Sequence, residues 1–188
     1  MHIKISLCLL FFVILYGCAS TRPVGGHYIS PGMGAQMALP YGWHIVIEAA
    51  DGIWITKNGD QYMKISRYSV LRRFSADDPD AKKMGLTPGM RPEQASKAIF
   101  NEFGARVSDL KIIETSTVQL AGHESFKTLY TYIDSNSQPR KGEYYGFIKG
   151  EWHYHFIYEA PIEEFDMELP AFEKVMQSLR LIQEQSPK

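Results

Sequence analysis

The chain has 188 residues, 45% of them hydrophobic and 13% aromatic, with 20 basic and 21 acidic side chains and a formal net charge of −1. That length suits one domain with a proper core, and so even a charge balance excludes a nucleic-acid binder or a generic binder of anionic lipid. The two cysteines are Cys8 and Cys18, which leaves the body of the chain without structural disulfides, thiolate zinc sites or a cysteine nucleophile.

Met1-His2-Ile3-Lys4 carries one cation and precedes an apolar run over residues 5–16. The run is too short to span a bilayer as a mature helix but has the length of a signal-peptide core. Leu15-Tyr16-Gly17-Cys18-Ala19-Ser20 follows. It resembles the lipobox of bacterial lipoproteins, in which an apolar residue, a variable one and a small one precede the cysteine. The resemblance implies a signal peptide over residues 1–17, cleavage after Gly17, and lipid on Cys18. One acyl chain binds a membrane marginally and two bind it stably, so a fully acylated Cys18 would hold the protein permanently. By resemblance to lipoprotein sorting in double-membrane bacteria, Ala19 in place of aspartate implies the outer membrane, facing the periplasm, over retention at the inner one.

Residues 19–36 are crowded with Gly, Pro and Ser and lack apolar periodicity, so residues 18–36 are expected to be the lipidated cysteine and a flexible tether. Such a tether averages roughly 20–25 Å end to end. The alternative is that Tyr28-Ile29 packs on the domain as an edge strand. Folded structure is expected over residues 37–182, with a frayed tail at 183–188. Residues 37–47 open it as a strand interrupted at Pro40 and Gly42. Turns at Asp51-Gly52 and Asn58-Gly59-Asp60 then separate strands over 52–57 and 61–70, giving an antiparallel meander.

Residues 71–90 break the pattern with Arg72, Arg73, Asp77, Asp78, Pro79, Asp80, Lys82 and Lys83. The aspartate spacing is not that of a calcium loop. The segment is too long and too charged for a simple connection, and is a candidate binding surface. Pro92 at a first-turn position and Gly104 frame a helix, with Ala95, Ala98, Ile99 and Phe103 as its buried stripe. Strands follow over 110–120 and 126–133, around Ala121-Gly122. Pro170 can open a final helix striped by Phe172, Val175, Met176 and Leu179.

The densest stretch is residues 142–159. Trp152, Tyr154, Phe156 and Tyr158 alternate with Glu151, His153, His155, Ile157 and Glu159, the period of a strand with one strongly apolar face. A two-residue loop near Lys149-Gly150 would put Phe147 and Tyr145 on that same face. The hairpin should lie at the centre of the core. Truncating Glu151 or Glu159, on the other face, should cost little.

Three pieces carry a further resemblance: Leu39-Pro40-Tyr41-Gly42-Trp43, Leu120-Ala121-Gly122-His123-Glu124-Ser125-Phe126-Lys127, and Ala171-Phe172-Glu173-Lys174-Val175-Met176-Gln177-Ser178-Leu179-Arg180. With the order of elements they resemble the PsbP/DcrB-like superfamily over residues 37–182. The resemblance implies an α+β domain whose antiparallel sheet of about six to seven strands is sandwiched by helices. It also implies an assembly or binding protein, with no shared catalytic residues.

Of the candidate chemistry, His153 and His155 stand foremost. Two apart on a strand, their imidazoles share one face about 7 Å apart. They are weak candidates for a zinc or copper site, with His123, His44 or a carboxylate as third ligand. Ser125 beside His123 and Glu124 lacks a nucleophile elbow and reads as a turn entering a strand. Trp43, Trp54 and Trp152, with the many tyrosines, are candidates to line a ligand groove, with core packing as the default explanation. The expectation is therefore a non-enzymatic envelope lipoprotein without cofactor. Its partners would be the bilayer through Cys18 and an unidentified envelope protein or small ligand. A metal-binding protein or metal-dependent enzyme using His153 and His155 is the alternative.

Overall fold

In the computed structural model, which describes residues 22–70 and 85–182, nine strands and two helices follow in the order β1 (Arg22–Ser30), β2 (Ala35–Ala49), β3 (Gly52–Thr56), β4 (Tyr62–Ser69), α1 (Pro92–Gly104), β5 (Ser108–Leu120), β6 (His123–Ile133), β7 (Pro139–Lys149), β8 (Trp152–Pro161), α2 (Phe165–Ser178) and β9 (Arg180–Leu181). The strands form one sheet in the order β1-β2-β3-β4-β8-β7-β6-β5, with β9 paired to β2, and every pairing is antiparallel. This is the expected α+β class, with more strands than expected. Cys18, the residues 1–17 signal, residues 71–84 and the 183–188 tail lie outside the described residues.

The β7–β8 hairpin occupies the middle of the sheet. Lys149 pairs with Trp152, so the loop has two residues and Phe147 and Tyr145 share a face with Tyr154 and Phe156, as the alternation requires. On that face α2 packs through Phe172, Val175 and Met176 against Met37, Trp43, Met63, Phe147, Phe156 and Tyr158. On the opposite face α1 packs through Ala95, Ile99 and Phe100 against Phe126, Tyr130, Tyr132 and Tyr144. A strand covered on both faces buries its polar alternates with its apolar ones. His153, His155 and Glu159 are accordingly buried, and the expectation that Glu159 faces away from the core is corrected.

Two boundaries are corrected as well. Residues 22–36 are not a tether: Arg22–Ser30 is β1, whose register on β2 runs from Arg22↔Ile45 to Ser30↔Ala35, and Met33 in the following turn is fully buried. The Gly-rich segment is ordered, not flexible. Its glycines serve a bulge between Val24 and Gly26 and a turn with Gly34 at φ +66°, a conformation that suits glycine. β2 itself bends at Gly42, φ +79°, bringing Glu48 back to accept hydrogen bonds from Tyr28 Oη (3.0 Å) and Arg22 Nη2 (2.7 Å). Second, Pro170 does not open the last helix but lies inside α2, which starts at Phe165. The expected stripe is nonetheless right, since Phe172, Val175, Met176 and Leu179 are all buried.

Candidate functional site

The polar face of β8 meets α1 across three cross-strand rows. In one, Glu159 of β8 pairs with Gly142 of β7, which pairs with Tyr130 of β6. A Cβ on Gly142 would lie 2.3 Å from the Tyr130 ring, so only glycine lets that ring cross β7. Tyr130 Oη thereby donates to Glu159 Oε1, and Tyr132 Oη donates to Oε2 at 2.8 Å. In the next row His155 pairs with Gly146, which pairs with Phe126, and again a Cβ on the glycine would lie 2.5 Å from the ring beside it. His155 Nε2 is hydrogen-bonded to Ser66 Oγ, its register partner on β4. In the third, His153 lies edge-on to Tyr68 at 4.9 Å between ring centroids, and among the described residues neither of its ring nitrogens has a hydrogen-bond partner.

Burial sets the electrostatics of all three. It raises the Glu159 carboxyl from its ordinary 4.5 to about 8, against the two tyrosine hydrogen bonds, which favour the ionised form. It lowers His153 to about 3. It carries His155 well below the usual imidazole range, with the charges of His153 and Lys64 adding to the effect. At neutral pH the set is therefore two neutral imidazoles and a largely protonated carboxyl. A cavity of about 150 Å³ lies between this face and α1, lined by Phe100, Phe103, Tyr130, Tyr144, His155 and Glu159 among others. That is smaller than the roughly 300–1,000 Å³ of ordinary small-molecule pockets.

His153 and His155 do share a face, their ring centroids 5.6 Å apart. The suggested third ligands are elsewhere. His123 stacks on Phe147 at 5.1 Å, on the α2 side of the sheet, and the sheet itself separates it from the pair. His44 is aligned with Thr56, Tyr62 and Glu159 across β2, β3, β4 and β8, three strand spacings or about 14 Å from β8. Among the described residues no three of His, Cys, Asp and Glu are grouped so as to hold a metal ion. The Ser66–His155 pair has no carboxylate on the far ring nitrogen among the described residues, so it lacks the group that orients a catalytic imidazole.

The remaining candidates disperse. Ser125 is buried and donates to the His123 carbonyl at 3.0 Å, as a turn residue does. Trp43 is fully buried, Trp54 packs on Tyr62, and Trp152 lies under the Arg67 guanidinium at 4.0 Å. Sequence reasoning missed Glu159, Ser66, Tyr130 and Tyr132. The signal was present in Gly142 and Gly146, placed two strand positions on either side of Tyr144 where a sheet rarely tolerates glycine without a close approach.

No family model and no curated protein matches the chain. Solved structures do. The chain is similar to a cyanobacterial PsbP (CyanoP) from Synechocystis, with a TM-score of 0.58 at 12% identity over 89% of this chain and 98% of that one. The fold is PsbP-like. A Bacteroides thetaiotaomicron protein aligns with a TM-score of 0.53 at 13% identity over 87% of this chain and 50% of that one, so the chain spans half of that protein's length. LpqN of Mycobacterium tuberculosis, described as involved in cell envelope biogenesis, aligns with a TM-score of 0.49 at 13% identity over 78% of this chain and 82% of that one. At these identities the PsbP-like assignment concerns the fold alone.

Proposed function

We propose that the protein is a lipoprotein of the bacterial cell envelope, anchored by an acylated Cys18 at the periplasmic face of the outer membrane, and that its domain is a non-enzymatic binding or accessory module for another envelope component. The observation that carries the second half is how its buried polar groups are used. His155 is bonded to Ser66, and Glu159 is held by two tyrosines, so the most reactive side chains are spent on holding the sheet together. A PsbP-like fold is compatible with that role. The anchor is supported by Leu15-Tyr16-Gly17-Cys18 behind an apolar run. Among the described residues no helix is long and apolar enough to cross a membrane, and an acyl anchor requires none.

The test is to express the full chain and Cys18→Ser in a bacterium fed a labelled fatty acid, then separate detergent and aqueous phases. The native chain should carry label and partition with detergent. Cys18→Ser should lose the label and accumulate as an aqueous or uncleaved form. Identical processing and partitioning of the two would overturn the anchor. Crosslinking in native membranes, followed by purification through the domain, then identifies the partner. Stoichiometric zinc or copper in protein purified without a histidine tag would overturn the non-enzymatic, cofactor-free reading.

A further inference from the structure

We infer that the domain rests directly on the lipid surface, and that Tyr41, Val46 and Ile47 at the β1–β2 edge form its contact with the bilayer. The inference depends on the acylation of Cys18 proposed above. It goes further by giving the anchored domain an orientation and a second, non-covalent attachment.

The first observation is covalent reach. β1 starts at Arg22, four Cα steps after Cys18. However the residues between them run, that separation is at most about 14 Å. The headgroup layer takes roughly 5–8 Å of it, being the difference between the hydrocarbon core and the whole bilayer on one side. A domain hydrogen-bonded into a sheet from Arg22 onward therefore cannot stand clear of the membrane. Its anchor-side edge is held against the headgroups.

The second observation is what that edge carries. Arg22 pairs with Ile45, and the next two residues of β2, Val46 and Ile47, are 49% and 50% exposed. Ile47 stands opposite Trp54 on β3. Earlier on β2, Tyr41 is 81% exposed, its ring lying over Gly25 of β1, where a Cβ would come within 2.2 Å of it. The glycine gives the tyrosine a fixed seat on the surface. Branched aliphatic side chains and a tyrosine beside a lipid anchor are the residue types that enter the headgroup–acyl boundary. The charge suits that surface, because Arg22 is neutralised by Glu48 at 2.7 Å. An edge with exposed apolar side chains and balanced charge gains by burial in lipid and pays no desolvation of a lone ion. Elsewhere Ile113 is just as apolar and 55% exposed, but it lies on β5, the opposite edge of the sheet.

That symmetry supplies the control. Full-length, lipidated protein carrying Val46→Cys, Ile47→Cys or Ile113→Cys is labelled with an environment-sensitive fluorophore and reconstituted in phosphatidylcholine vesicles, some containing a spin-labelled lipid quencher. The mass of the Cys18 peptide is measured in the same samples. Labels at 46 and 47 should shift to the blue and be quenched several-fold more than the label at 113. If Cys18 is acylated and all three labels respond alike, the contact surface is refuted while the anchor stands. If the Cys18 peptide has no acyl mass, the anchor fails and the contact surface fails with it. As a second arm, Val46→Asp with Ile47→Asp should keep acylation but expose the label of a Tyr41→Cys variant to water. Undiminished quenching at 41 would likewise refute the contact.

Discussion

Glu159 shows how one residue reports on its whole environment. Burial raises its carboxyl to about 8, so the folded chain keeps a proton that the unfolded chain releases above about 4.5. Stability from this group is complete below that pH and is lost as pH rises through about 8. His153 and His155 act in the opposite sense, because burial lowers both. Their stability is present above the ordinary imidazole value of 6.5 and is lost as pH falls below it. Two imidazoles outweigh one carboxyl on the acid side, and the carboxyl acts alone on the alkaline side. These three groups therefore place the maximum of thermal stability near pH 6.5. Glu159→Gln should flatten the decline between about pH 6.5 and 8.5, and a native protein whose Tm stays level over that range would contradict the buried carboxyl. Gly142 is a second residue with one job. Gly142→Ala would place a methyl against Tyr130 and should cost about 1–3 kcal/mol by overpacking, measured by urea unfolding; no loss would mean that the ring does not cross β7 there.

Among the elements, α2 departs furthest from expectation. Its proline is inside the helix and exposed, so the Pro170 nitrogen gives no hydrogen bond to the preceding turn. Packing of Phe165 on one side and Phe172, Val175 and Met176 on the other holds the helix through that break. Since an interior proline costs up to about 3 kcal/mol against alanine, Pro170→Ala should raise Tm. A fall in Tm would mean that the ring makes a contact worth more than the missing bond. α1 behaves more simply, running from Pro92 to Gly104 as the Pro and Gly signals require.

For the molecule as a whole, the start of the fold is decisive. A chain beginning at Met37 would delete β1 and the turn that buries Met33. Met33 alone contributes roughly 1.5–3 kcal/mol, and the exposed edge of β2 would lose its ladder. That chain should unfold with a much lower midpoint than one beginning at Thr21, or without cooperativity. Equal stability of the two would restore the tether. The same edge sets the distance between anchor and domain.

The local signals in the sequence determined much of this protein. Period-two alternation marked β8 and its partner, turn dipeptides marked the meander, and 3.6-residue stripes marked both helices. These follow from backbone geometry, which a short window of residues expresses directly. The α+β class followed from their order. Tertiary structure alone decided which faces are covered. The alternation along residues 151–159 separates two faces but says nothing about whether α1 lies on the second, and α1 is brought there by strands far away in sequence. That is why His153, His155 and Glu159 became buried groups with shifted protonation instead of surface residues. It is also why the glycines of residues 25–34 read as flexible: a bulge, a turn and a ring seated on Gly25 exist only once β2 is beside them. Cross-strand partners, set by register between distant segments, decided the rest.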